Sequence, residues 1–335
     1  MKNNKIVPAL AFLAVMVGTE APLVAAAPQL EEVIVTAQKR AENMQGVPVA
    51  VSAITSEQLD DIGFNDIADI AAQVPSLIVL TNLSPLSTTF RVRNIGNAGN
   101  IPTFEPATGL FIDGAFRSRS GIGIGDLADV QSVEVLKGPQ STLHGKNVTA
   151  GVISVKTKGP TREFEAMAEL NGGSDGLRQF KGYVSGPLTD WLAARLSLVD
   201  TRRDELVENV LGPDSDTQNS YAIRAQFQAD FSERFSGRLI LGYAEKDLRP
   251  MTGDVFLSDA SREVIDNAGG QLTIPNDPSD RTVEYGDEIT FESESNDVVL
   301  NLEYGADAYT LTSFPSYDDY ESLNGIHDVE QQSLF

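Results

Sequence analysis

A chain of 335 residues is long enough for one large domain or two moderate ones, and its 48 acidic residues against 25 basic ones give a formal net charge of -23. That charge repels the phosphate backbone of nucleic acids, so no nucleic-acid partner is expected. With no cysteine and only His144 and His327 as histidines, disulfides and thiol nucleophiles are excluded, zinc sites lack ligands, and neither an enzyme nor a cofactor is expected.

In chain order, Lys2 and Lys5 precede an apolar run from Ile6 to Val17, and Val24-Ala25-Ala26 supplies the small residues of a cleavage site. Residues 1–26 therefore read as a secretory signal peptide, cut after Ala26 because a cut after Ala27 would leave Pro28 just beyond the scissile bond. The run is about 12 residues long, whereas a spanning helix needs roughly 20. No later stretch approaches that length, so a mature chain in a membrane must cross it as β-strands.

Residues 27–46 contain the β-branched run Val33-Ile34-Val35-Thr36-Ala37 beside the cleavage site. It reads either as an extended, detachable strand or as the first strand of the next domain. Residues 47–160 then alternate short strands and helices. Val47 to Ile54 is a strand, Thr55 and Gln58 form a capping box for a helix stopping at Gly63, and Asn65 caps a second helix with Ile67, Ile70, Ala71 and Val74 on one face. Phe90 to Arg93, Leu110 to Ile112, Val130 to Leu136 and Gly151 to Thr157 are further strands, making a compact α+β unit.

From residue 161 to 335 period-two alternation replaces helical periodicity. Tyr221, Ile223, Ala225, Phe227 and Ala229 alternate with polar residues such as Arg224, Gln226 and Gln228, and Leu192 to Leu198 and Phe235 to Tyr243 behave alike. A soluble sandwich could share this alternation. The connections, however, run short, long, short, long: Gly186 to Asp190, Phe231 to Arg234 and Gly305 to Asp307 are tight, whereas Thr201 to Ser220, Glu245 to Phe291 and Asp318 to Val329 are long and acidic. An outer-membrane barrel has short periplasmic turns and long outer loops. Residues 201–335 hold 28 of the acidic and 9 of the basic residues, as segments outside a bilayer would.

Several motifs then carry a family resemblance. Leu110-Phe111-Ile112-Asp113-Gly114, the run Val133 to Asn147, and Gly151 to Lys158 closely resemble the plug-domain signature of TonB-dependent outer-membrane receptors, and Phe90 to Gly96 resembles an earlier plug motif of that family. Val33 to Ala37 looks like its TonB box. Asn94 and Ser141 stand where relatives commonly have glycine, His144 where tyrosine is usual, and Lys137 and Lys146 where arginine is usual. The resemblance implies an α+β plug domain followed by a partial antiparallel transmembrane β-barrel, about the first third of a barrel of roughly 22 strands. Open strand edges are not viable in hydrocarbon, so the chain reads as a truncated piece of a longer protein.

Other motifs are weak. Gly138 and Gly145-Lys146 are too far apart for a phosphate loop, Gly121 to Asp126 lacks the repetition of a calcium turn, and neither histidine has a nucleophile context. His144 reads as a packing residue.

The resemblance further implies a location in the Gram-negative outer membrane, against its lipid, and active uptake of a scarce ligand such as a ferric siderophore. The TonB energy-coupling protein is the implied partner, taking Val33, Ile34, Val35, Thr36 and Ala37 as an added strand. Phe104, Phe116, Arg117 and Arg119, in loops expected to face outward, are the candidate ligand contacts, with pairing to barrel carboxylates as the competing role for the arginines. No extra periplasmic domain fits before the TonB box, so transport without transcriptional signalling is expected. The rival expectation is a nontransporting product acting as a secreted plug-like binding module.

Overall fold

The computed structural model describes residues 34–36, 39–40, 42–64, 67–80, 88–97, 105–118, 121, 129–210, 213–250, 263–264, 267, 281–283 and 288–327. Residues 1–26, expected to be a signal peptide, and Val33, Ala37, the Asn65 cap, Phe104 and Arg119 lie outside these residues.

The chain enters as a small antiparallel pair, β1 (Ile34–Val35) with β2 (Glu42–Asn43). The strand expected from Val47 begins at Ala50, because Met44–Gly46 forms a tight turn whose Met44 carbonyl accepts from the Val47 N–H at 3.4 Å. β3 (Ala50–Thr55) then runs into α1 (Ser56–Asp61). The expected capping box is present: the Gln58 N–H donates to Thr55 Oγ1 and the Thr55 N–H donates to Gln58 Oε1. Ile67, Ile70 and Val74, spaced to share one face, are all buried along α2 (Ile67–Gln73).

The next elements are β4 (Leu77–Leu80), β5 (Thr89–Val92), β6 (Thr108–Ile112), β7 (Ala115–Arg117), β8 (Val130–Lys137), α3 (Ser141–His144) and β9 (Gly151–Thr157). β4 and β5 pair with each other, and the main sheet has the order β3-β8-β9-β6-β7 with only β6 and β9 parallel. Its two faces are apolar for different reasons. One packs Val133, Val135, Ile153 and Val155 against the helices and the β4–β5 pair, while the other packs Leu136, Val152, Phe111 and Val148 around Val35.

Three of the departures from the expected pattern have structural explanations. Asn94 adopts φ +63°, a left-handed backbone that asparagine tolerates better than most residues. Ser141 simply opens α3, where no left-handed backbone is required. Lys146 keeps a cation's role by pairing with Glu105 at 2.5 Å.

The second sheet consists of β10 (Glu165–Gly172), β11 (Arg178–Pro187), β12 (Leu192–Arg203), β14 (Thr217–Ser232), β15 (Phe235–Arg249), β17 (Glu288–Gly305), β18 (Thr310–Ser313) and β19 (Ser316–His327). The two-residue strands β13 (Glu208–Asn209) and β16 (Thr282–Val283) pair in the loops. Each large strand is antiparallel to its neighbour, and β18 and β19 follow one another along β17. The stretch expected as a loop from Asp318 is therefore strand through His327, its polar residues alternating with exposed Tyr317 and Leu323.

One side of this sheet carries Arg195, Ser197, Gln226, Ile240 and Val299, all buried. The other carries Leu196, Ile223, Phe227, Leu241 and Val298, which are left partly or fully exposed. At the tight-turn end Trp191, Phe231 and Phe235 cluster on that outer side, with ring centroids 6.3 and 5.1 Å apart. Further along, the outer rows end in Tyr221 and Tyr243 and then become acidic at Asp200, Glu245, Asp247 and Glu294. An apolar band flanked by aromatic side chains suits hydrocarbon on one side and a polar interior on the other. The molecule is an α+β plug followed by part of an antiparallel barrel wall.

Candidate functional site

The N-terminal segment is docked on the plug. Alternation along β1 leaves Ile34 outward at 53% exposure and turns Val35 inward at 1%, among Val47, Leu136 and Val152. Burial of a valine of this kind is worth about 1.5–3 kcal/mol. The Thr36 N–H and Thr36 Oγ1 both donate to a single oxygen, Glu134 Oε1, at 2.8 and 3.1 Å. Glu134 sits in the apolar run of β8, is 2% exposed, and projects from the same face as Leu136. Burial holds its carboxyl above the usual carboxylate range, although the Thr36 bonds and Lys156 pull the other way.

The plug meets the barrel wall through polar groups that alternation places on the inner side. Asp129 receives Arg195 Nε at 2.5 Å, Arg195 Nη2 at 2.8 Å and Ser197 Oγ at 2.8 Å, while the Arg195 guanidinium stacks over Tyr183. Asp113, at the β6–β7 turn, accepts from the Thr157 N–H and Thr157 Oγ1 at 3.0 and 2.8 Å. Gln226 and Arg238 of the wall bond Thr157 in turn, and Asn301 donates to the Asp113 carbonyl. The turn itself needs Gly114: Asp113 and Gly114 have φ of +50° and +88°, as a two-residue hairpin loop requires, and a Cβ there would meet the Phe314 ring at 2.8 Å.

Arg117 belongs to this seam. It is 5% exposed, and its guanidinium pairs with Asp318 at 2.6 Å and Asp297 at 3.2 Å on the wall. Phe116, the next residue of β7, points to the opposite face and packs on Phe111 at 5.4 Å, with His144 edge-on to Phe111 at 5.0 Å. His144 is thus the packing residue the sequence suggests. Phe116 and Arg117, proposed together as ligand contacts, lie on opposite faces of one strand, and their partners Phe104 and Arg119 fall outside the described residues. A hollow of about 460 Å³ lined by Asp200, Arg202, Tyr221, Glu245 and Asp247 lies on the outer side of the wall, and its carboxylates oppose an anionic ligand.

Sequence reading missed Glu134, Asp129, Arg195 and Arg238. The signal for Glu134 was available: a carboxylate between Val133 and Val135 in a buried strand demands a partner.

The model of the TonB-dependent receptor plug domain matches residues 43–152. By that match, residues 43–152 are a plug domain of the kind found in TonB-dependent receptors. The chain is 29% identical over 160 residues to the pesticin receptor of Yersinia pestis, a match covering 48% of this chain and 23% of that one. It is 29% identical over 161 residues to the ferripyoverdine receptor of Pseudomonas aeruginosa, covering 47% and 19%. Among solved structures, the ferric yersiniabactin uptake receptor of Yersinia pestis superposes with a TM-score of 0.72 at 20% identity, covering 83% of this chain and 42% of that one. The match thus spans about a quarter of the length of the pesticin receptor. These relatives are receptors, not enzymes.

Proposed function

We propose that this receptor takes up a scarce ligand, a ferric siderophore, across the Gram-negative outer membrane after export on a cleaved signal peptide, with the plug closing the barrel. Residues Val33 to Ala37 are the strand offered to the TonB energy-coupling protein. The observation that carries this reading is the plug's lining of side chains paired with the wall, Asp113 with Arg238, Arg117 with Asp318 and Asp129 with Arg195, set against an outward apolar wall suited to lipid. A sheet with that inside-out polarity has no use in a soluble binding module. The names of relatives, for ferripyoverdine and ferric yersiniabactin, support an iron chelate as ligand.

Phe104, Phe116, Arg117 and Arg119 remain the proposed ligand contacts. Arg117 serves only if a ligand's anionic groups replace Asp297 and Asp318, which links capture to loosening of the plug. The test compares uptake of radioactive iron from phenolate, hydroxamate and catecholate chelates in cells with and without this gene, before and after a protonophore. Loss of protonophore-sensitive uptake from one chelate is expected. Unchanged uptake of every chelate would contradict the assignment of iron.

A further inference from the structure

We propose that Glu134 is the latch that keeps the N-terminal strand docked, and hence the residue that positions it for release to a partner. Three observations converge on it. Both Thr36 donors land on Glu134 Oε1, which concentrates the polar hold on the segment in one atom. The carboxylate is buried on the same plug face that receives Val35, so the apolar peg and the polar hold act together. Glu134 Oε2 has no hydrogen-bond partner among the described residues, so the group is only half satisfied even when the strand is docked.

That half-satisfaction makes docking a two-state matter. Beyond Val35 and Thr36, the segment is secured by a two-residue pairing of β1 with β2, and Ile34 faces outward. When Thr36 leaves, a buried carboxylate loses both donors at once and stays in place only if water reaches it. Water entering at Glu134 in turn removes the apolar surroundings of Val35. Partial release is therefore disfavoured, and the strand is either seated on Glu134 or free as a unit. A pull on the strand and a shift of β8 away from Thr36 open the same latch from opposite ends.

The proposal deepens the reading of residues 33–37 as the partner-binding strand, but its test reads docking alone. The chain contains no cysteine, so Val35→Cys, introduced into the whole receptor, reports the segment through the rate of thiol labelling, with Ile34→Cys as the exposed reference. With Glu134 present, the cysteine at 35 should label far more slowly than that at 34. Glu134→Leu fills the same volume and removes the acceptor, and should speed labelling at 35 by about tenfold or more, the loss of two hydrogen bonds to a charged group. Glu134→Gln keeps a neutral acceptor and should fall between. Thr36→Val, which leaves the plug core untouched, should speed labelling by a smaller factor and decides the matter if Glu134→Leu unfolds the plug. Equal labelling at 34 and 35 in the parent, or unchanged labelling in Thr36→Val or in a folded Glu134→Leu, would overturn the latch. Faster labelling without any defect in uptake would leave the latch standing and remove the transport role of the strand.

Discussion

At the scale of single residues, the seam between plug and wall is held by charges that cannot be cut singly. The Arg195 and Asp129 side chains are 1% and 6% exposed; loss of Arg195 would leave the buried Asp129 carboxylate without its charge partner, held by the Ser197 hydroxyl, whereas loss of Asp129 would leave Arg195 its pair with Glu165. Arg195→Ala should therefore cost about 3–5 kcal/mol of stability, whereas replacing both partners with apolar residues of similar volume should cost much less. Denaturant unfolding of the two variants in detergent checks the difference. Glu134 makes a prediction of opposite character. Its carboxyl is raised by burial above the unfolded value of 4.5, so the native state holds this proton more tightly than the unfolded chain. The stability it contributes is complete below about 4.5, as the unfolded value sets, and is lost as pH rises through the folded value. The plug should gain stability through this group when the pH falls from neutral, and Glu134→Gln should remove that part of the pH dependence. A Glu134→Gln profile with the parent slope would show that other groups govern it.

At the scale of elements, β7 shows how alternation divides labour. Ala115 and Arg117 face the wall, where Ala115 packs with Ile240 and Val299, while Phe116 faces the plug core. Arg117 reaches Asp297 because the wall opposite Asp297 is Gly242; a Cβ there would lie 2.3 Å from the Asp297 carboxylate. Gly242→Ala should displace Asp297, weaken its pair with Arg117, and make the plug easier to cleave by protease without changing the strand register. Protection equal to the parent would show that Asp318 alone holds Arg117. The long strands were legible in the sequence because β12, β14 and β15 each have one lipid-suited face, and a period of two is visible wherever the two faces differ. β19 was not, since Asp318, Asp319 and Glu321 look like loop when the inner carboxylate is there to meet a plug arginine. β7 was hidden for the same reason: its arginine is buried only because another part of the chain supplies the carboxylates. Pairings of this kind, between residues about two hundred positions apart, leave no local trace.

At the scale of the whole molecule, the distribution of charge and of exposed apolar side chains follows the bilayer expected around it. The apolar rows and the aromatic cluster at Trp191, Phe231 and Phe235 lie outward, and acidic residues gather where the strands run on toward the long loops. Within the wall sits a plug whose first strand is seated by Val35 and Thr36 yet lies at the edge of the fold. The central claim is that this strand couples the plug to an energised partner by main-chain pairing. The most direct measurement compares Ile34→Pro with Ile34→Ala in the whole receptor, reading energised uptake of the ferric chelate against its binding to de-energised cells. Ile34 is half exposed, so alanine removes little packing, whereas proline deletes the N–H and fixes φ. The account predicts that the proline variant binds ligand as the parent does but fails to take it up, with the alanine variant close to the parent. Normal uptake by the proline variant would contradict it.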